Sequence, residues 1–146
     1  MIQRKQTIYL LLAFVAIVVC MCSRVGSLVS TVSQASLYNL WLSDGQGAHN
    51  MSVWPLFATL LLAALLALVT IFLYTKRKLQ SKLCLVLMVL LLLWYVLLAV
   101  LPQSLGGSLV LGWASAMPAV ALLCAIFARK GILADEKLVR SLDRIR

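Results

Sequence analysis

The sequence predicts an all-α polytopic membrane protein with four transmembrane helices, and three observations carry that prediction. Residues 54–75, 83–101 and 109–128 contain no charged side chain. Each run is close to the roughly 20 apolar residues that a helix needs to cross a hydrocarbon core about 30 Å thick. The composition is 64% hydrophobic and 12% charged, with a mean hydropathy of +1.05, outside the range of soluble domains. Charge is also segregated: of 13 Lys and Arg, all but Arg24 fall within 4–5, 76–82 or 129–146. Cations grouped at alternate ends of apolar runs mark cytoplasmic loops. The net charge of +9 is therefore an orientation signal, and no nucleic-acid partner is expected.

The first span is the uncharged run 7–22, preceded by Arg4 and Lys5, whose long side chains can snorkel and lengthen it. Its end offers no small-x-small cleavage site, and Val19 and Met21 precede Cys20 and Cys22 where a lipidated cysteine would need a small residue. It reads as an uncleaved helix. Residues 23–53 form the one sizeable loop, rich in Ser, Asn, Gln and Gly. Within it 27–32 and 37–42 have strand character and Ser43-Asp44-Gly45 is a turn signal, so a short β-hairpin capping the bundle is expected. Leu37, Tyr38, Leu40 and Trp41 suit a membrane interface.

Trp54 and Pro55 open the second span, where Pro is tolerated in the first turn. Thr59, Ala63 and Ala67 recur at steps of four, a small-residue stripe that lets a second helix approach closely. The third span is mostly Leu and Val, with Trp94, Tyr95 and Pro102 toward its outer end. Gly106-Gly107 turns the chain into the fourth span, where Gly112 and Ala116 repeat the small-residue spacing and Pro118 predicts a bend. Beyond Arg129, Lys130 and Gly131, the tail 129–146 has helical periodicity. Ala134, Leu138, Leu142 and Ile145 share an apolar face; Lys137, Arg140 and Arg144 oppose it; Asp135 is the expected N-cap. A separate amphipathic helix lying on the membrane surface follows.

One four-helix membrane domain over 1–146 results, with the loop 23–53 outside and both termini and the 76–82 turn in the cytoplasm. That orientation places twelve of the thirteen cations inside, while Arg24 and Asp44 cancel outside. The inner basic groups, Lys76, Arg77, Lys78, Lys82, Lys137, Arg140 and Arg144, are candidates for one platform that meets anionic lipid headgroups or an unidentified membrane or cytoplasmic protein. Basic residues near a membrane surface gain about 1 kcal/mol each from anionic lipid.

Chemistry is sparse. The spans hold no ionisable Asp, Glu, Lys, Arg or His of the kind that ion-coupled carriers use; the small multidrug-resistance transporters, also four-span, depend on a membrane glutamate. Cys20-Met21-Cys22 is not the C-x-x-C of disulfide-exchanging membrane proteins, and membrane cysteines usually act as small apolar fillers. His49 has no second metal ligand nearby in sequence. Neither a phosphate loop nor a nucleophile elbow occurs. No catalytic residue, cofactor or metal is expected, and an enzyme is not the expected class. The leading reading is a non-catalytic accessory or scaffolding protein with a basic cytoplasmic surface; the alternative is a small oligomeric carrier or lipid-interacting transporter, for which a polar cavity lined by Thr59, Thr70, Tyr95 and Ser115 would speak.

The two ends carry the most specific motifs: Met1-Ile2-Gln3-Arg4 followed by Gln6, and Ala134-Asp135-Glu136-Lys137-Leu138-Val139-Arg140-Ser141 followed by Asp143-Arg144. Together with Lys78-Leu79-Gln80 and Lys82-Leu83, they resemble a bacterial family of small four-span inner-membrane proteins catalogued as a domain of unknown function. The resemblance runs the full length. It implies an inner-membrane location, and it carries over no catalytic or ligand residue.

Overall fold

The structure, a computed structural model, describes residues 3–29, 34–44, 49–73, 77–104 and 108–143, with side chains over 6–29, 34–43, 49–73, 78–101 and 108–138. Its helices are α1 (Gln3–Cys22), α2 (Trp54–Phe72), α3 (Arg77–Ser104) and α4 (Met117–Asp143). α1 packs on α2 and α4, and α3 packs on the same two, so each helix has two neighbours around a four-cornered bundle. Between α1 and α2 lie β1 (Arg24–Val29), β2 (Gln34–Tyr38), β3 (Leu42–Asp44), β4 (His49–Asn50) and a 3-10 turn, Met51–Val53; between α3 and α4 lies β5 (Ser108–Leu111). The strands form one antiparallel sheet in the order β4-β3-β2-β1-β5. Both of these connections build the same sheet, so it caps one end of the bundle. The start of α1, the end of α2, the start of α3 and the end of α4 lie at the other, the terminal end.

The core follows from residue size. α2 turns Leu56, Thr59, Leu60, Ala63, Ala64, Ala67 and Thr70 inward, and its small residues let neighbouring backbones close in. Leu87, Leu91 and Trp94 of α3, Ala13 and Ile17 of α1, and Ala121 and Ala125 of α4 complete the cluster, which continues into the sheet through Val25, Leu28, Leu37 and Leu42. At the terminal end Leu10, Cys84, Ala128 and Ile132 form a second, smaller cluster. The outward faces are as apolar as the core: Leu11, Val15, Leu62, Leu65, Val89, Leu92, Val96, Val120, Leu123 and Phe127 are all exposed. Three stretches, Met51–Phe72, Lys78–Leu101 and Trp113–Leu138, are long and apolar enough to cross a membrane, and Gln6–Cys22 is a shorter apolar helix.

Several expectations change. The hairpin is part of a larger sheet, because residues 109–111, expected inside the fourth span, join Ser108 as β5 and pair with β1 from Gly26↔Leu111 to Val29↔Ser108. Gly26 lets them meet, since a Cβ there would lie 2.4 Å from the Val110 carbonyl oxygen. The expected strand 37–42 is split by a turn at Asn39-Leu40, closed by the Tyr38 N–H on the Trp41 carbonyl at 3.0 Å. Pro118 sits in the first turn of α4 rather than in its middle, where its missing N–H breaks no helical bond. α3 begins at Arg77, six residues before the expected span, so most of the basic turn is helix. Lys, Leu and Gln are good helix formers, and Gln80 turns inward and donates to the Thr70 carbonyl at 3.2 Å, one of the last carbonyls of α2.

The largest correction concerns the tail. Among the described residues no separate surface helix is present: α4 runs unbroken through Gly131 to Asp143. Asp135 is a buried mid-helix residue rather than an N-cap, while Ala134 and Leu138 of the expected apolar stripe are exposed. The side chains of Leu142 and Ile145 lie outside the described residues.

Candidate functional site

Polar side chains gather at two levels of the bundle. At the sheet end Asn39, fully buried, donates to the Cys20 carbonyl at 2.6 Å and accepts from the Trp94 indole N–H at 3.1 Å. The Cys20 carbonyl belongs to the last turn of α1, whose carbonyls have no helical partner. One amide thus ties the turn between β2 and β3 to α1 and α3. Beside it the Tyr95 hydroxyl donates to the Ser115 carbonyl at 2.7 Å, and the Ser115 hydroxyl donates to Gly112 at 2.6 Å. Gly112 precedes the 3-10 turn Trp113–Ala116 and donates its N–H to the Val25 carbonyl at 2.7 Å. It therefore contacts the sheet rather than lining a helix-packing stripe; Ala116 is exposed. Thr59, Ala63 and Ala67 are buried on α2.

At the terminal end the Gln6 side-chain amide donates to the Asp135 carboxylate at 2.5 Å, across 129 residues of sequence. The opening and closing motifs of the chain meet at this bond. Gly131 makes room for it, since a Cβ there would lie 3.0 Å from the Gln6 Cγ. Gly in a helix costs about 1 kcal/mol relative to Ala, and here the close approach of α1 and α4 explains its place. Arg129, two residues before, has its Nε buried with no hydrogen-bond partner among the described residues. Lys130 is exposed, and both line an open groove of about 120 Å3 with Met88, Ile126 and Leu133.

Of the expected basic platform, Lys78 and Lys82 on α3 and Lys137 on α4 are exposed at this same end. Lys76 and Arg144 lie outside the described residues, as do the side chains of Arg77 and Arg140. Sequence reasoning passed over Gln6, Asn39 and Arg129. Gln6 and Asp135 each stood inside a noted terminal motif, a usable signal; Asn39 offered only its turn-forming residue type.

Nothing in either cluster is arranged as a nucleophile with a base. Among the described residues no three His, Cys, Asp or Glu come together to hold a metal. His49 lies against the Trp41 ring at 5.7 Å, and the Asn50 side chain caps the 3-10 turn through the Ser52 N–H at 3.0 Å. Cys20 and Cys84 are buried free thiols, and Cys22 is an exposed one.

A family model described as Domain of unknown function (DUF4293) matches residues 2–145. The chain belongs to this family. Comparison with the curated proteins finds no match. The family description assigns no activity, so the geometry has to carry the functional reading.

Proposed function

We propose that this member of the family is a four-span integral protein of a bacterial inner membrane, with its sheet outside and its terminal end in the cytoplasm, serving as a non-catalytic accessory or scaffolding component. The observation that carries the reading is the inversion of the bundle. Its exposed helix faces are Leu, Val and Phe, a surface far larger than a soluble monomer leaves uncovered. The hydroxyls that could have lined a transport path are engaged with nearby backbone: Thr59 with Pro55 and Leu56, Thr70 with Leu66, Ser115 with Gly112. That favours the accessory role over a carrier.

The span limits agree with a bilayer. Trp54 and Trp113 are 59% and 65% exposed at the sheet end, and Phe72 is 74% exposed at the terminal end, as expected for rings at the two interfaces. At about 1.5 Å per residue, the 19 residues of α2 cover about 28 Å, close to the hydrocarbon thickness. α1, with 20 residues, is of similar length, which supports counting it as the fourth span. The orientation rests on the positive-inside bias.

Two experiments test the reading. In intact cells a membrane-impermeant maleimide should label the exposed Cys22, and a Lys78→Cys variant should gain label only after permeabilisation; the reverse pattern would sink the orientation. For the role, the protein is purified in mild detergent with and without charge reversal at Lys137, Arg140 and Arg144. A set of co-purifying proteins lost on reversal is expected, and an unchanged set would remove the scaffold reading.

A further inference from the structure

We propose that the groove between α3 and α4 at the terminal end is a binding site for one anionic glycerophospholipid, its phosphate held by Arg129 and Lys130 and an acyl chain lying along Met88 and Ile126. The inference rests on the membrane-embedded reading above and adds a defined site to it. The groove is open on one side, about 120 Å3 in volume, and lined by Met88, Ile126, Arg129, Lys130 and Leu133. Three of these are apolar, two are cations, and no carboxylate is among them. Ile126, Arg129, Lys130 and Leu133 follow one another at steps of three, one and three, so they share one face of α4.

Arg129 is the decisive group. Its Nε is buried and has no hydrogen-bond partner among the described residues. A guanidinium N–H withdrawn from water without an acceptor is costly, and an anion beside it would remove that cost. Asp135, the acid buried further along the same helix, is already bonded to Gln6. A planar guanidinium matches phosphate oxygens in a bidentate fashion, while the Lys130 ammonium adds an adaptable point charge.

Depth decides what kind of anion fits. Arg129 directly follows Ala128 of the small apolar cluster of Leu10, Cys84, Ala128 and Ile132, and Phe127, two residues before it, is half-exposed beside the Tyr9 ring at 5.9 Å. α4 runs away from the sheet, so Ile126 is on the membrane-interior side of Arg129. On α3, Val86 and Val89 flank Met88 and are exposed. A ligand here needs an anionic head at the cations and an apolar body running toward the midplane, which is the form of a phospholipid.

The test uses the full chain in nanodiscs of equal phosphatidylglycerol and phosphatidylcholine, released and read by native mass spectrometry. The wild type should retain one phosphatidylglycerol with a preference of about tenfold, the scale of one charge-assisted hydrogen bond. Arg129→Gln should abolish the preference, Lys130→Gln should reduce it, and Ile126→Trp should expel the lipid while leaving the charge in place. Arg24→Gln, an exposed cation in β1 at the sheet end, should keep it. Should Arg129→Gln fail to fold, Arg129→Lys retains the charge without the planar fork and should lower the preference.

Equal retention of both lipids would overturn the site. So would an unchanged preference in the Arg129 variants, equal loss in Arg24→Gln, or displacement of the lipid by excess inorganic phosphate, which would mark a simple ion site. A chain that enters nanodiscs but shows no preference refutes the site alone. A chain that cannot be incorporated refutes the membrane reading with it.

Discussion

The two ends of the bundle satisfy their polar groups in opposite ways. At the sheet end the buried groups are neutral and mostly bonded to backbone. Asn39 serves a helix carbonyl and an indole at once, Tyr95 closes on the Ser115 carbonyl, and the glycines at 26 and 112 hold strand and turn at backbone contact. At the terminal end the groups carry charge. Asp135 is held by one amide, Arg129 keeps an unpartnered Nε, and Lys78, Lys82, Lys130 and Lys137 stand exposed. The sheet end sets which helices neighbour each other, whereas the terminal end retains hydrogen-bonding capacity directed outward. A scaffold that docks a partner or a lipid would be built this way, with rigidity at one end and recognition at the other.

The sharpest way to break this comparison is Asn39→Leu. The substitution leaves the Trp94 N–H without its acceptor and the Cys20 carbonyl without its strongest donor, both away from water. Each such group costs about 1–3 kcal/mol, so a loss of about 3–4 kcal/mol in unfolding stability is expected in detergent. Were Gln6→Leu to cost as much, the two ends would not differ in rigidity.

Gly26→Ala comes next. Its new Cβ would lie 2.4 Å from a backbone oxygen of Val110, which cannot move without parting β1 from β5. About 2–3 kcal/mol is expected, the upper part of the overpacking range. Gly131→Ala is the matched substitution at the terminal end. There the obstacle at 3.0 Å is the flexible Gln6 side chain, and the gain in helix propensity offsets part of the clash. A loss below about 1 kcal/mol is expected in the same unfolding measurement in detergent; equal losses would show that α1 and α4 are as tightly fixed as the sheet.

These glycines also show what the sequence could reveal. The order of the four long helices was legible because long uncharged runs have few structural solutions. The fifth strand was not, because Ser108–Leu111 continues straight into an apolar run, and four β-capable residues beside a span look like the span itself. The tail was misread for a related reason. Gly131 and Asp135 make a convincing local stop and restart, and only the presence of Gln6, distant in sequence, turns Gly131 into a point of close approach and Asp135 into a buried acceptor. Local signals were read correctly for an isolated helix, and tertiary contact overrode them. Of the candidate basic surface the sequence supplied Lys78, Lys82 and Lys137, but the unpartnered guanidinium of Arg129 is a property of packing alone.

At the terminal end, a double-mutant cycle of Gln6→Leu and Asp135→Asn should return a coupling of about 1–2 kcal/mol, the scale of a hydrogen bond to a charged group. Its absence would mean that the two terminal motifs are neighbours without depending on each other. The effect should be smaller than at Asn39, since one bond is lost here against two beneath the sheet.

Thr59→Val should have the smallest effect, and it tests the interior between the two ends. The Thr59 hydroxyl lies 3.1 Å from the Pro55 carbonyl and 2.9 Å from that of Leu56, in the first turns of α2. Valine keeps the branched shape and removes only a bond from the helix to itself, so less than about 1 kcal/mol of stability should be lost. If the hydroxyl instead lined a solute path, the substitution would leave stability alone and change flux in liposomes made with the purified protein. A measurable flux in the wild type that Thr59→Val lowers would transfer the functional weight from the charged end to the bundle interior and revive the carrier reading. Stability and flux both near their wild-type values are what a packed, non-conducting bundle requires.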